Sequence, residues 1–119
     1  MDRIDFKTGT FYLGDCFDVM ATLSAGSVDM VLNDPPYGTT ACAWDSILPL
    51  DKMWAEYWRL LKANGAAVLT ASQPFTTTLI GSELERFRYC WYWDKIGVTG
   101  FANAKKQPLR NVEDVTIFL

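Results

Sequence analysis

Asp34-Pro35-Pro36-Tyr37 is the stretch of this chain whose residue types and order could do chemistry. Each proline holds φ at about −65° and keeps the residue before it out of the helical region, so Asp34 and Pro35 are expected to be extended, with their acceptors fixed in direction. The Pro35 carbonyl belongs to an amide with no N–H and has no obvious strand partner. An exocyclic amine on a nucleobase is a poor nucleophile because its lone pair is delocalised into the ring. The Asp34 carboxylate and the Pro35 carbonyl could each take one N–H, draw the nitrogen toward tetrahedral geometry and aim the lone pair at an electrophilic methyl group. Tyr37 would stack on the flipped base, where about 1–3 kcal/mol of stacking offsets the cost of extruding it. A rigid loop opener of the kind found in many turns is the simpler reading of the same residues.

The preceding residues decide how the motif is held. Val28, Met30, Val31 and Leu32 form a short apolar run that reads as a buried strand over residues 28–33, halted by prolines that cannot donate to a ladder. The motif thus falls at the carboxyl end of a strand, where open α/β sheets bind ligands. Upstream, Phe11-Tyr12-Leu13 reads as a strand, and Phe17, Met20 and Leu23 follow at helical spacing after Gly14-Asp15. Asp15 serves equally as the N-cap of that helix.

Residues 38–49 read as a loop beside the pocket, in which Trp44 either closes over a ligand or pins the loop to the body of the domain. A helix is expected from Leu50 to Lys62, with Met53, Trp54, Tyr57, Trp58, Leu60 and Leu61 as a wide apolar stripe and Asn64-Gly65 as its terminator. Ala66 to Ala71 reads as a second buried, parallel strand. Ser72 is a candidate N-cap for a helix with Pro74 in its first turn and Phe75, Leu79 and Ile80 along it. Residues 86–94 alternate as a half-buried strand, with Phe87, Tyr89, Trp91 and Trp93 on one face. Val112 to Leu119 forms the last strand, making a hairpin with the one before it.

With 119 residues, half of them hydrophobic, the chain is long enough for one core and one domain, residues 1–119. No apolar run approaches the roughly 18 residues that cross a membrane, and Met1-Asp2-Arg3-Ile4-Asp5 carries no signal-peptide pattern, so a cytoplasmic protein is expected. Cys16, Cys42 and Cys90 are widely spaced and there is no histidine, so neither a disulfide framework nor a metal site is expected. A net charge of −3 does not suit a protein that coats DNA through phosphate contacts. Affinity for nucleic acid must then be local, and Lys95, Lys105, Lys106 and Arg110 offer the candidate, a phosphate-contacting loop or an ordinary solvated one.

Asp34-Pro35-Pro36-Tyr37 resembles the catalytic motif of the amino-group DNA methyltransferases, which act on adenine N6 or cytosine N4 with S-adenosylmethionine. The resemblance continues through Tyr12-Leu13-Gly14-Asp15-Cys16, Trp44-Asp45, residues 54–65, Ser72-Gln73-Pro74-Phe75, Trp91-Tyr92-Trp93-Asp94-Lys95, Asn103-Ala104-Lys105-Lys106, Pro108-Leu109-Arg110 and Glu113, nearly the whole chain. Together these resemble phage-type and bacterial methylases of the permuted class, known from restriction-modification, in which the catalytic motif precedes the cofactor motif. The resemblance implies a partial Rossmann-like S-adenosylmethionine-dependent methyltransferase fold, α/β, with a mostly parallel sheet and an antiparallel last strand. It implies catalytic roles for Asp34, Pro35, Pro36 and Tyr37, and a cofactor site touching Asp15, Cys16 and Asp34. Aspartate at the first motif position resembles the adenine-directed members and speaks against a glutamine-amide methylase, which usually has asparagine there.

A glycine-rich turn between strand and helix, the usual cradle of a dinucleotide-like cofactor, is absent. Gly97 and Gly100 lie between aromatic-rich segments, and Val112 stands where the family would have histidine before Glu113. In the family the cofactor half follows the last strand, and the chain stops at Leu119. One side of the strand at 28–33 is therefore expected to be an open edge, filled by a second copy of the chain or by a separately encoded cofactor half. A truncated, non-catalytic remnant that binds DNA or a partner is the alternative.

Overall fold

Asp2–Phe6 (β1) and Gly9–Leu13 (β2) pair antiparallel as a hairpin separate from the main sheet. β1 was not foreseen, although Arg3-Ile4-Asp5-Phe6 alternates polar and apolar residues. The polar face is tied together by Arg3 Nε and Thr10 Oγ1, each donating to Asp5 Oδ1 at 2.9 Å. The structure is a computed structural model; it describes residues 1–43, 45–99 and 110–119, with the backbone alone at 97–99 and 110.

The main sheet contains β3 (Val28–Asn33), β4 (Leu61–Ala71), β6 (Arg110–Phe118) and β5 (Phe87–Thr99), in that spatial order. β3 and β4 are parallel, and β6 runs antiparallel to both β4 and β5. Three strands thus point one way and the last in sequence points the other. Because β6 lies between β4 and β5, only one hydrogen-bonded pair among the described residues is parallel.

α1 (Cys16–Ala21), α2 (Leu50–Leu60) and α3 (Phe75–Ser82) supply the second layer. Met53, Trp54 and Tyr57 of α2 and Phe75 and Leu79 of α3 bury one face of the sheet, formed by Ala67, Leu69, Ala71 and Phe118, and Phe17 and Met20 of α1 pack against the same cluster. Arg59 locks α1 to α2: its guanidinium donates to the carbonyls of Leu23 at 3.0 Å and Met20 at 2.8 Å while paired with Glu56. Trp54 and Trp58 donate to Ser82 Oγ and Glu83 Oε2, fixing the end of α3.

Several boundaries differ from the sequence expectation for physical reasons. α2 ends at Leu60, because Leu61 turns extended (φ −71°, ψ 139°) and buries its side chain as the first residue of β4. Gly65 caps no helix. A Cβ there would stand 2.9 Å from both the Asp29 carbonyl oxygen and Leu61 Cδ2, at the irregularity where Val28 pairs with Leu61 and Met30 with Ala66. Ser72 makes no side-chain cap; its carbonyl accepts the Thr76 N–H at 3.1 Å, and α3 begins at Phe75.

β3 is an edge strand and not a buried one. Val31 and Asn33 pair with Ala67 and Leu69 toward the helices, whereas Met30 and Leu32 pair with Ala66 and Val68 on the other face. Among the described residues no helix covers that face, and Leu32 is 68% exposed. The same explains β5. Tyr89, Trp91 and Trp93 pair with Ile117, Val115 and Glu113 on the uncovered face and are exposed, while the register shift after Phe87 sends that ring across from Phe118 into the core.

Candidate functional site

β3 delivers Asn33 and then Asp34 to its carboxyl end, where the chain turns through the two prolines. Asn33 Nδ2 donates to the Tyr57 hydroxyl at 2.7 Å, anchoring the strand end to α2. Burial pushes the Tyr57 phenol up to about 12, so it stays a neutral partner. Pro35 is buried, and among the described residues no donor is paired with its carbonyl.

Asp34, Tyr37 and Thr70 form a closed hydrogen-bonded triangle. Thr70 Oγ1 donates to Asp34 Oδ1 at 2.6 Å, and the Tyr37 hydroxyl lies 3.0 Å from the same oxygen and 2.8 Å from Thr70 Oγ1. With one proton on each hydroxyl, the triangle fixes both side chains around Asp34 Oδ1 and leaves Oδ2 for another donor. The Tyr37 ring is half-buried and stacks on Phe75, with centroids 5.3 Å apart and planes 17° apart. Burial, with the charges of Asp34 and Glu113 adding to it, pushes the Tyr37 phenol above its ordinary value despite the Thr70 hydrogen bond. It remains a neutral donor at physiological pH.

The loop after the motif is built around Asp45. This buried side chain accepts the backbone N–H groups of Gly38 at 2.9 Å, Thr39 at 3.0 Å and Thr40 at 2.7 Å. Hydrogen bonds from Thr40 and these amides pull its carboxyl down to about 2. Gly38 has φ +72°, a conformation that favours glycine, and an added Cβ would lie 2.9 Å from Ile47 Cγ1.

Two cavities meet at the motif. The first, about 320 Å³, is lined by Asp34, Pro35, Pro36 and Tyr37 together with Thr39, Thr40, Asp45 and Glu113. The second, about 330 Å³, lies toward the helices and has Cys16, Met20, Val31, Leu48, Met53 and Tyr57 among its walls. Asp34, Pro35 and Pro36 line both, so the motif is their common partition.

The other candidates are placed differently. Asp15 caps α1, its Oδ1 accepting the N–H groups of Phe17 at 2.8 Å and Asp18 at 3.3 Å, while Cys16, the first residue of that helix, lines the second cavity with Asp34. Lys95 is not a free cation but sits 3.3 Å from Glu113 Oε1, both side chains being three-quarters or more buried. Lys105, Lys106 and Trp44 lie outside the described residues, as does the Arg110 side chain. Thr70 was missed altogether, and Asp45 and Glu113 were named only through the family resemblance. Thr70 lies one residue past the last pair of β4 with β3, Asn33 with Leu69, a position that topology reveals and local sequence does not. The spacing from Gly38 to Asp45 carries a weak local signal, an acid that can cap a loop of free amides.

No protein-family profile and no curated protein matches the chain. Solved structures do. The Thermus thermophilus protein TTHA0409, provisionally described as a DNA modification methylase, aligns with a TM-score of 0.64 and 20% identity over 88% of this chain and 50% of its own. M1.HpyAVI, solved as a complex with SAM, aligns with a TM-score of 0.62 and 20% identity over 89% of this chain and 52% of its own. The chain spans about half the length of the structures it matches. At this identity the likeness shows the fold alone, a mixed α/β arrangement shared with these structures.

Proposed function

We propose that this chain supplies the catalytic portion of a DNA amino-methyltransferase that moves a methyl group from S-adenosylmethionine to adenine N6. The observation that carries this reading is the common partition: Asp34, Pro35 and Pro36 belong to both cavities, as a segment must if it brings a base and a methyl donor together. The structural likeness to a protein provisionally described as a DNA modification methylase and to one solved with SAM supports the same reading.

The second cavity suits part of the cofactor. Its walls are largely apolar, with the Asp34 carboxylate and the Asn33 amide at one end, and its volume is at the lower end of the range for small-molecule sites. Cys16, Met20, Val31, Leu32 and Asp34 would touch it, while Asp15 remains committed to the helix cap. When bound, the cofactor supplies an electrophilic sulfonium methyl whose bonding electron pair leaves with the sulfur. A flipped adenine in the first cavity presents its amine to Asp34 Oδ2 and the Pro35 carbonyl, each taking one N–H. With both N–H groups so held, the nitrogen lone pair would be free to take up the methyl group, and the proton then released would pass to the Asp34 carboxylate or to water. Phe75 behind the Tyr37 ring and the hydroxyl triangle at its edge make that ring a rigid wall for the base.

Replacing Asp34 with alanine tests the proposal in an assembly of residues 1–119 with a complete cofactor site. Labelled-methyl transfer to DNA should fall to background; a variant with the wild-type rate removes the assignment. A second reading, a non-catalytic module that binds DNA or a partner, is favoured by the lack of a glycine-rich turn between strand and helix in residues 1–119. The phosphate contacts proposed for Lys105, Lys106 and Arg110 serve either reading. So does an occupant for the open edge of β3, either a second copy or a separate cofactor half.

A further inference from the structure

The first cavity holds three carboxylates, and they are not equivalent. Asp45 is saturated by three backbone N–H groups and serves the loop. Asp34 has one oxygen engaged by Thr70 and Tyr37. Glu113, on β6, lines the cavity with its side chain only 18% exposed and one oxygen, Oε1, 3.3 Å from Lys95 on the neighbouring strand. Among the described residues no lysine or arginine lines this cavity. Both the Asp34 and the Glu113 charge are felt at the Tyr37 hydroxyl, where each raises the phenol's pKa.

We infer that Glu113 is a positioning residue for charge: it makes the base cavity prefer a positively charged base over a neutral one. This rests on the methyltransferase reading, in which an amine gaining a methyl group becomes cationic before it loses a proton. Asp34 and the Pro35 carbonyl already account for both N–H groups of the neutral amine. A second carboxylate is then superfluous for recognition of the ground state, but it opposes the charge that appears as the N–C bond forms. Stabilising what develops, in preference to what is first bound, is how a fixed electrostatic environment accelerates a reaction. Lys95 keeps the Glu113 side chain from swinging away, a role that does not require it to reach the base.

Binding to the 119-residue chain tests this without the reaction. Adenosine and 1-methyladenosine, the latter cationic at neutral pH, are titrated against wild type, Glu113→Gln and Asp34→Ala, with unfolding temperatures compared to check that each variant folds. Wild type should bind the cation about tenfold more tightly than adenosine, the scale of one charged hydrogen bond. Glu113→Gln, which keeps shape and an acceptor oxygen, should bind adenosine nearly as well as wild type but lose the preference. Glu113→Asp should restore part of it. A wild type without the preference, or a Glu113→Gln variant that keeps it while Asp34→Ala weakens adenosine binding, overturns the role of Glu113 alone. Adenosine binding that is absent, or unchanged in Asp34→Ala, overturns the underlying base site as well.

Discussion

At Gly38 and Asp45 single atoms decide whether the first cavity keeps its wall. Gly38→Ala forces a Cβ into a positive-φ backbone and to within 2.9 Å of Ile47 Cγ1, and should cost at least about 1–2 kcal/mol, read as a lowered unfolding temperature. The Asp45 carboxyl is held down to about 2 by its hydrogen bonds. A depressed acid contributes stability that is complete above its unfolded value of about 3.9 and is lost as pH falls through the folded one. The Gly38, Thr39 and Thr40 amide resonances should therefore titrate together near pH 2; titration near the unfolded value of about 3.9 would mean that the carboxylate does not hold the loop. Of these residues, the Asp34-to-Tyr37 motif was legible because two prolines leave so few conformations. Thr70 was not, since only the pairing of β3 with β4 brings it to Asp34.

The strands and helices read unevenly for a related reason. α2, β4 and α3 were visible because their apolar spacing matches a face that is in fact covered, as Met53, Trp54, Tyr57, Ala67, Leu69 and Leu79 demonstrate. The apolar runs of β3 and β5 match a face that no described helix covers, so the same pattern suggested burial that the structure lacks. This difference has a measurable consequence. Phe118, fully buried against Trp54 and Phe87, should cost about 3–5 kcal/mol on replacement by alanine. Trp91, 62% exposed, should cost little, within about 0.5 kcal/mol. Comparable losses in denaturant melts of the two variants, run at concentrations where the chain is monomeric, would show that this face is covered within the chain itself.

For the molecule as a whole, the described residues leave one apolar face of the sheet uncovered, β3 at its edge and the hairpin side chains Ile4, Phe6, Phe11 and Leu13 exposed, and we propose that a partner covers them. Concentration-dependent association of the 119-residue chain is expected in sedimentation experiments, and Leu32→Lys should weaken it; a monodisperse monomer at all concentrations would contradict this. On the proposed function, Asp34 and its prolines divide a cofactor cavity from a base cavity. Amide shift mapping of the isotope-labelled chain tests it directly, with S-adenosylmethionine and adenosine added separately. The Asp34 amide should respond to both, Cys16 and Met20 to S-adenosylmethionine alone, and Thr39 and Thr40 to adenosine alone. If both ligands perturb one common set of residues, or if neither moves Asp34, the partition is not where the two reactants meet.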